Sequence, residues 1–221
     1  MDRKQRILKI IELLGKEYPG AGTALNFKNP LEMLVATMLS AQCTDKLVNN
    51  VTEKLFKKYK TPGDYAGADI SMLERDVYPV NFYKTKAKNI KAACTLIVNE
   101  FNSRVPDTME GLLTLPGVAR KTANLVLFHG YGIISGIAVD THVKRLSMLL
   151  GLTENKDPDK IEGDLTDITP KDEWPRMNSM LILHGRSVCT AKHPKCEICV
   201  LNKICPSAAL APVKTVKNIN S

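Results

Sequence analysis

Apolar residues recur at helical spacing along almost the whole of this 221-residue chain, as in helices that bury one face. Between residues 3 and 17, Ile7, Ile10, Ile11 and Leu14 form one stripe, with Lys and Glu opposite. Asn29-Pro30 reads as N-cap and first helical residue, and an apolar run over residues 31–39 follows. Thr44 is placed to cap a further helix carrying Leu47, Val48, Val51 and Leu55. Pro62, Gly63, Gly67 and Pro79 break residues 61–80 into short turns and half-helices. A long helix is expected over about residues 85–101, and Asp107-Thr108-Met109-Glu110 has capping-box form. Further helices start near Arg120, Thr141, Pro158 and Glu173, and residues 133–139 are the only β-like run, broken by Gly136. The pattern predicts an all-α fold. The tail after Pro206 loses apolar periodicity and is expected to fray.

Four of the six cysteines fall in one short run, Cys189, Cys196, Cys199 and Cys205, spaced C-x6-C-x2-C-x5-C. Four thiolates so close can converge on one metal centre, either tetrahedral zinc or a [4Fe–4S] cluster, and spacing alone does not separate the two. Disulfides belong to secreted chains. Here no apolar segment follows the charged start Met1-Asp2-Arg3-Lys4-Gln5-Arg6. No stretch reaches the roughly 18 uncharged apolar residues of a membrane span. The chain is therefore expected in a reducing cytoplasm. Cys43 and Cys94 sit singly in apolar helical patterns and are expected to be inert and buried. An excess of 31 Lys and Arg over 23 Asp and Glu gives a net charge of +8, which favours a polyanionic partner through phosphate neutralisation.

Leu115-Pro116-Gly117-Val118-Ala119-Arg120-Lys121-Thr122-Ala123 joins two helical patterns through a very short turn. Pro116 ends one helix and Gly117 permits an unusual backbone angle. The amides of Gly117, Val118 and Ala119 are expected to point outward at the positive start of the next helix, a site for one DNA phosphate. Alone, such a turn is an ordinary αα-hairpin. Lys121 follows in the first turn of that helix. Nucleophilic attack requires a neutral amine, and the positive end of a helix disfavours a second positive charge. Nineteen residues on, Asp140 opens Asp140-Thr141-His142-Val143-Lys144-Arg145 where a helix begins. An aspartate there is most often an N-cap, and an exposed lysine most often a solvated charge. Together with the cysteine run, the pair points to catalysis.

The chain resembles the endonuclease III family of DNA glycosylases, in the helix-hairpin-helix superfamily. Four blocks carry the resemblance: Leu39-Ser40-Ala41-Gln42-Cys43-Thr44-Asp45, then 115–123, then 139–145, then Ile182-Leu183-His184-Gly185-Arg186 leading into the cysteines. They span essentially the whole chain in the family's order. The resemblance implies a [4Fe–4S] cluster on Cys189, Cys196, Cys199 and Cys205. It implies an enzyme that excises oxidised pyrimidines of the thymine glycol type from duplex DNA and then nicks the strand. Lys121 would attack C1′ of the extruded nucleotide, and Asp140 would be the catalytic carboxylate. Gln42 would fill the gap left by the flipped base, and Phe82 stands where relatives place an apolar wedge. As a residue alone, Phe82 reads equally well as a core aromatic. Asp45 and His142 are second-line pocket candidates. Arg186, Lys192 and Lys195, around the cysteine loop, are candidate phosphate contacts.

The same resemblance implies two lobes in a monomer. One is a six-helix barrel over residues 23–133, with the hairpin at about 115–121. The other is an iron–sulfur domain of residues 1–22 plus 134–221. One departure is Ala119, where many relatives carry glycine; its methyl is expected to be tolerated if the residue is already helical. Mismatch-specific relatives lack the lysine, so Lys121 points to the bifunctional branch. The alternatives are a monofunctional mismatch glycosylase on the same scaffold and a non-catalytic DNA-binding iron–sulfur module.

Overall fold

The structure, a computed structural model, describes residues 1–208; most of the tail expected to fray lies outside the described residues. The described residues contain eleven α-helices and no strand. They run α1 (Arg3–Glu17), α2 (Pro30–Ser40), α3 (Asp45–Lys58), α4 (Pro62–Gly67), α5 (Ile70–Val77), α6 (Tyr83–Glu100), α7 (Met109–Leu113), α8 (Arg120–Tyr131), α9 (Thr141–Leu149), α10 (Pro158–Ile168) and α11 (Trp174–Ser187). Short 3₁₀ turns follow at Cys196–Ile198 and Asn202–Ile204. No helix among them is long and apolar enough to cross a membrane.

Local capping sets most of these boundaries. Asn29 accepts from the Glu32 amide with Pro30 behind it, and Thr44 accepts from the Leu47 amide. Asp157 caps α10 through the amides of Asp159 and Lys160. Each cap satisfies amides that a helix start leaves unpaired. One expectation shifts, and one ambiguous run resolves. Thr108 alone caps α7, through Gly111 N, so Glu110 makes no capping box. Residues 133–139 form no strand; Ile137, Ala138 and Val139 are buried, so their apolar character reflects burial rather than pairing.

The chain forms two compact units, Thr23–Ala138 and a second of Met1–Gly22 with Val139 and the described residues after it. The second crossing thus falls five residues beyond the expected 133/134 boundary. In the first unit α2 is the central element, packed by α3, α6 and α8 and buried all round from Met33 to Leu39. Ile90, Ala93 and Ile97 of α6 and Val126 and Leu127 of α8 close that core. The other unit packs α11 on α1 and α9, with α10 against α1 and α9. Its core draws on Ile7, Ile10 and Leu14, Val143 and Leu146, Ile161 and Leu165, and Met177 and Met180. The even use of aliphatic side chains matches an aromatic content of only 5%.

Leu34 is fully buried in α2. Leu34→Ala is expected to lower unfolding free energy by about 3 kcal/mol, measured by urea titration followed by helical circular dichroism.

Candidate functional site

The turn between α7 and α8 needs its glycine twice over. Gly117 has φ +79, in the left-handed region, and an added Cβ would stand 2.7 Å from Asn89 Nδ2 and 2.9 Å from Asn89 Cβ. Its neighbours do not all behave as expected. The Val118 amide donates back to Leu115 O at 3.1 Å, and its side chain is buried, so that amide is turned inward. Of the three amides expected to face a phosphate, that leaves those of Gly117 and Ala119 as candidates. Ala119 is the N-cap of α8, extended at φ −99 rather than helical, a conformation any residue adopts, and so its methyl is tolerated for a different reason. Lys121 follows as the second residue of α8, with an exposed side chain.

Asp140 is the N-cap of α9. Its Oδ1 accepts from the amides of His142 and Val143, each at 2.8 Å. Both bonds fall on one oxygen, which fixes the carboxylate plane and leaves Oδ2 outside the cap. The capping role and a catalytic role are therefore compatible. Lys121 and Asp140 belong to different units. His142 is half-buried in the first turn of α9, and Asp45 opens α3, also half-buried. Gln42 and Phe82 are both exposed, and both hold left-handed backbone, at φ 56 and φ 57. Phe82 is 64% exposed, so it is no core aromatic.

The four C-terminal cysteines are half-buried thiols, none in a disulfide. All four line one cavity of about 260 Å³, closed by Leu146, Leu149, Leu150, Val188 and Leu201. A lone tetrahedral zinc would hold its sulfurs about 2.3 Å from one centre, which draws the ligands into a tight group. Among the described residues, no three Cys, His, Asp or Glu side chains are grouped to hold a single ion. The cavity that the four thiols line gives room for a four-iron, four-sulfide cluster. Burial first, and then neighbouring thiols, push Cys189, Cys196 and Cys199 above the usual thiol range. Bound iron would offset that cost by supplying positive charge.

Side chains behind the cysteines orient them. Arg145 Nη1 donates to Cys189 O at 2.6 Å and lies 3.8 Å from its Sγ. His184 Nε2 lies 3.3 Å from Cys199 Sγ, and its Nδ1 lies 3.1 Å from the Tyr18 hydroxyl. Burial pushes His184 below the usual histidine range. The Tyr18 hydroxyl also lies 3.0 Å from Ser187 Oγ, so α1 and α11 together hold the imidazole beside the Cys199 sulfur. His184 was detectable in principle, because it continues the buried stripe Met177, Met180, Leu181 of α11. Lys192 and Lys195 are exposed on the loop between Cys189 and Cys196, and Arg186 is exposed on the last turn of α11. Of the two remaining cysteines, Cys94 is buried, and burial pushes its thiol up to about 12. Cys43, expected to be buried, is instead half-exposed, with its sulfur accepting two hydrogen bonds.

Residues 35–171 match the HhH-GPD superfamily of base excision DNA repair proteins. Residues 189–205, bounded by the first and last of the four cysteines, match the iron–sulfur binding domain of endonuclease III. Endonuclease III of Synechocystis is 50% identical over 206 residues, 93% of this chain and 94% of the relative. That of Bacillus subtilis is 41% identical over 88% of this chain and 89% of the relative. A solved structure of a trapped endonuclease III–DNA covalent intermediate aligns with a TM-score of 0.90 at 40% identity, covering 95% of this chain and 99% of that one. The chain belongs to the endonuclease III family, the bifunctional DNA glycosylases and abasic-site lyases of base excision repair. Its cofactor is a [4Fe–4S] cluster.

Gly117→Ala is expected to cost about 1–3 kcal/mol through positive φ, together with the Asn89 overlap. Urea unfolding checks the stability, and fluorescence anisotropy on a duplex checks the weaker DNA binding expected alongside.

Proposed function

We propose that this protein excises oxidised pyrimidines of the thymine glycol type from duplex DNA and then cleaves 3′ to the abasic site. The observation that carries this reading is Lys121 itself, exposed in the first turn of α8 directly after a phosphate-binding hairpin. Lys121 Nζ attacks C1′ of the extruded nucleotide, and the electrons of the glycosidic bond leave with the base. The C1′–O4′ bond then breaks, O4′ takes up the proton lost from the attacking amine, and the ring-opened protonated imine acidifies the C2′ proton. Its removal expels the 3′ phosphate by β-elimination. Asp140, oriented by two amides, places a fixed negative charge for the cationic sugar that develops as the base departs.

The remaining residues serve the DNA. Amides of Gly117 and Ala119 hold a phosphate, while Gln42 and Phe82 fill and wedge the vacated stack. Arg186, Lys192 and Lys195 reach further phosphates, which suits a chain of net charge +8. Asp45 and His142, one in each unit, are each assigned to recognition of the extruded nucleotide. The unit of Thr23–Ala138 serves as the hairpin-bearing barrel and the other as the cluster domain. The cluster holds the loop of basic residues in shape and takes no chemical step. Both proposed catalytic residues come from one chain, which supports a monomer. Thiols kept as cluster ligands support an intracellular site of action.

A single-turnover assay on a duplex with one thymine glycol, scoring base release and strand cleavage separately, tests this reading. Wild type is expected to do both, and Lys121→Ala neither. Asp140→Asn keeps an N-cap acceptor and hence the fold, but should slow base release by about a hundredfold or more. Base release by the wild type without cleavage would contradict the lyase and leave a monofunctional glycosylase.

A further inference from the structure

Gln42 and Phe82 pose a mechanical problem. Both occupy left-handed backbone that residues other than glycine adopt rarely, and both side chains are exposed, so their own packing does not hold them. They belong to separate segments, one after α2 and the other before α6. Phe82 caps α6 without any side-chain hydrogen bond.

Three polar residues join the two segments. Asn81 Nδ2 donates to Gln42 O at 2.5 Å, and Asn81 N donates to Cys43 Sγ at 3.2 Å. Lys86 lies one turn into α6 and is only 7% exposed. Its Nζ donates to Leu39 O at 2.7 Å and to Ala41 O at 2.6 Å, and lies 3.4 Å from Cys43 Sγ. Its amide donates to Phe82 O at 3.0 Å. Lys86 therefore touches the segments on both sides at once. The carbonyls it serves lie at the C-terminal end of α2, where a helix favours positive charge. For packing alone an apolar side chain would be the cheaper occupant of position 86, which continues the buried stripe Ile90, Ala93, Ile97.

We infer that Lys86, Asn81 and Cys43 form a clamp that fixes the Gln42 and Phe82 segments against each other, making Lys86 a positioning residue for nucleotide extrusion. The inference rests on the proposed role of Gln42 and Phe82 as the probes that enter the DNA stack. Displacing a stacked, paired base is uphill, and a probe already rigid loses no conformational freedom at that moment. The clamp sets that rigidity when the protein folds. Chemistry on a nucleotide that is already unstacked does not need it.

The test compares two substrates under single-turnover conditions: a duplex with one paired thymine glycol, and a single-stranded oligonucleotide with one abasic site. Lys86→Met and Asn81→Ala are each expected to slow base release from the duplex by about tenfold or more, and to leave β-elimination on the single strand within about twofold. Asn81 is exposed, so its variant bears on the clamp even where Lys86→Met folds poorly. In a Gln42→Ala/Phe82→Ala background, Asn81→Ala should change duplex release by less than about twofold, because the clamp then has nothing to position. Equal losses on both substrates would reduce the cluster of bonds to structural support and overturn the inference. So would an unchanged duplex rate in both clamp variants while Gln42→Ala/Phe82→Ala is slowed. An unchanged duplex rate in Gln42→Ala/Phe82→Ala would instead remove the probe reading, and the clamp with it.

Discussion

An α-helix leaves its first amides and last carbonyls without partners, and most candidate functional residues of this protein sit at or next to such an end. Asp140 answers the amides at the start of α9, and Lys121 rides the first turn of α8. The hairpin glycine makes the turn into α8. Gln42 follows the end of α2, and Phe82 precedes the start of α6. The cysteine run begins where α11 stops. A fold with no strands among its described residues has few other places to present backbone polarity outward. Its buried helix faces fix where those ends lie. The core therefore sets the geometry of the site even though it contributes almost none of its atoms.

Helix starts were the most legible part of the sequence, because a cap is a local bargain between a side chain and amides two or three residues on. Asn29-Pro30, Thr44 and Asp140 could all be read from a few letters, and so could the lysine after the hairpin. What could not be read depends on contacts between distant segments. The inward turn of the Val118 amide follows from how Leu115 closes the hairpin. The exposure of Phe82 and of Cys43 follows from the way residues 39–43 and 81–86 meet. The β-like run at 133–139, broken by Gly136, forms no strand, in keeping with the all-α expectation; its last three residues are buried. Lys86 gave a signal of its own, a charge on an apolar stripe, which marks a buried polar contact without naming the partner.

The six cysteines show how context divides one residue type. Cys94 is desolvated and inert. Cys43 serves as an acceptor between two loops. The remaining four surround an apolar cavity, backed by Arg145 and by the Tyr18–His184 pair. That backing reaches α1 and α9, so a cluster bound there would join the chain's beginning to its end within one unit. Small helical units with modest cores gain most from such a staple.

In the proposed reaction a single lysine carries both base release and strand cleavage. Borohydride reduction during turnover on a thymine glycol duplex, followed by proteolysis and mass spectrometry of the trapped adduct, tests it most directly. A stable protein–DNA product with the sugar remnant on Lys121 is the expected result. Attachment at any other residue, or cleavage of the strand with no trappable adduct, would contradict it.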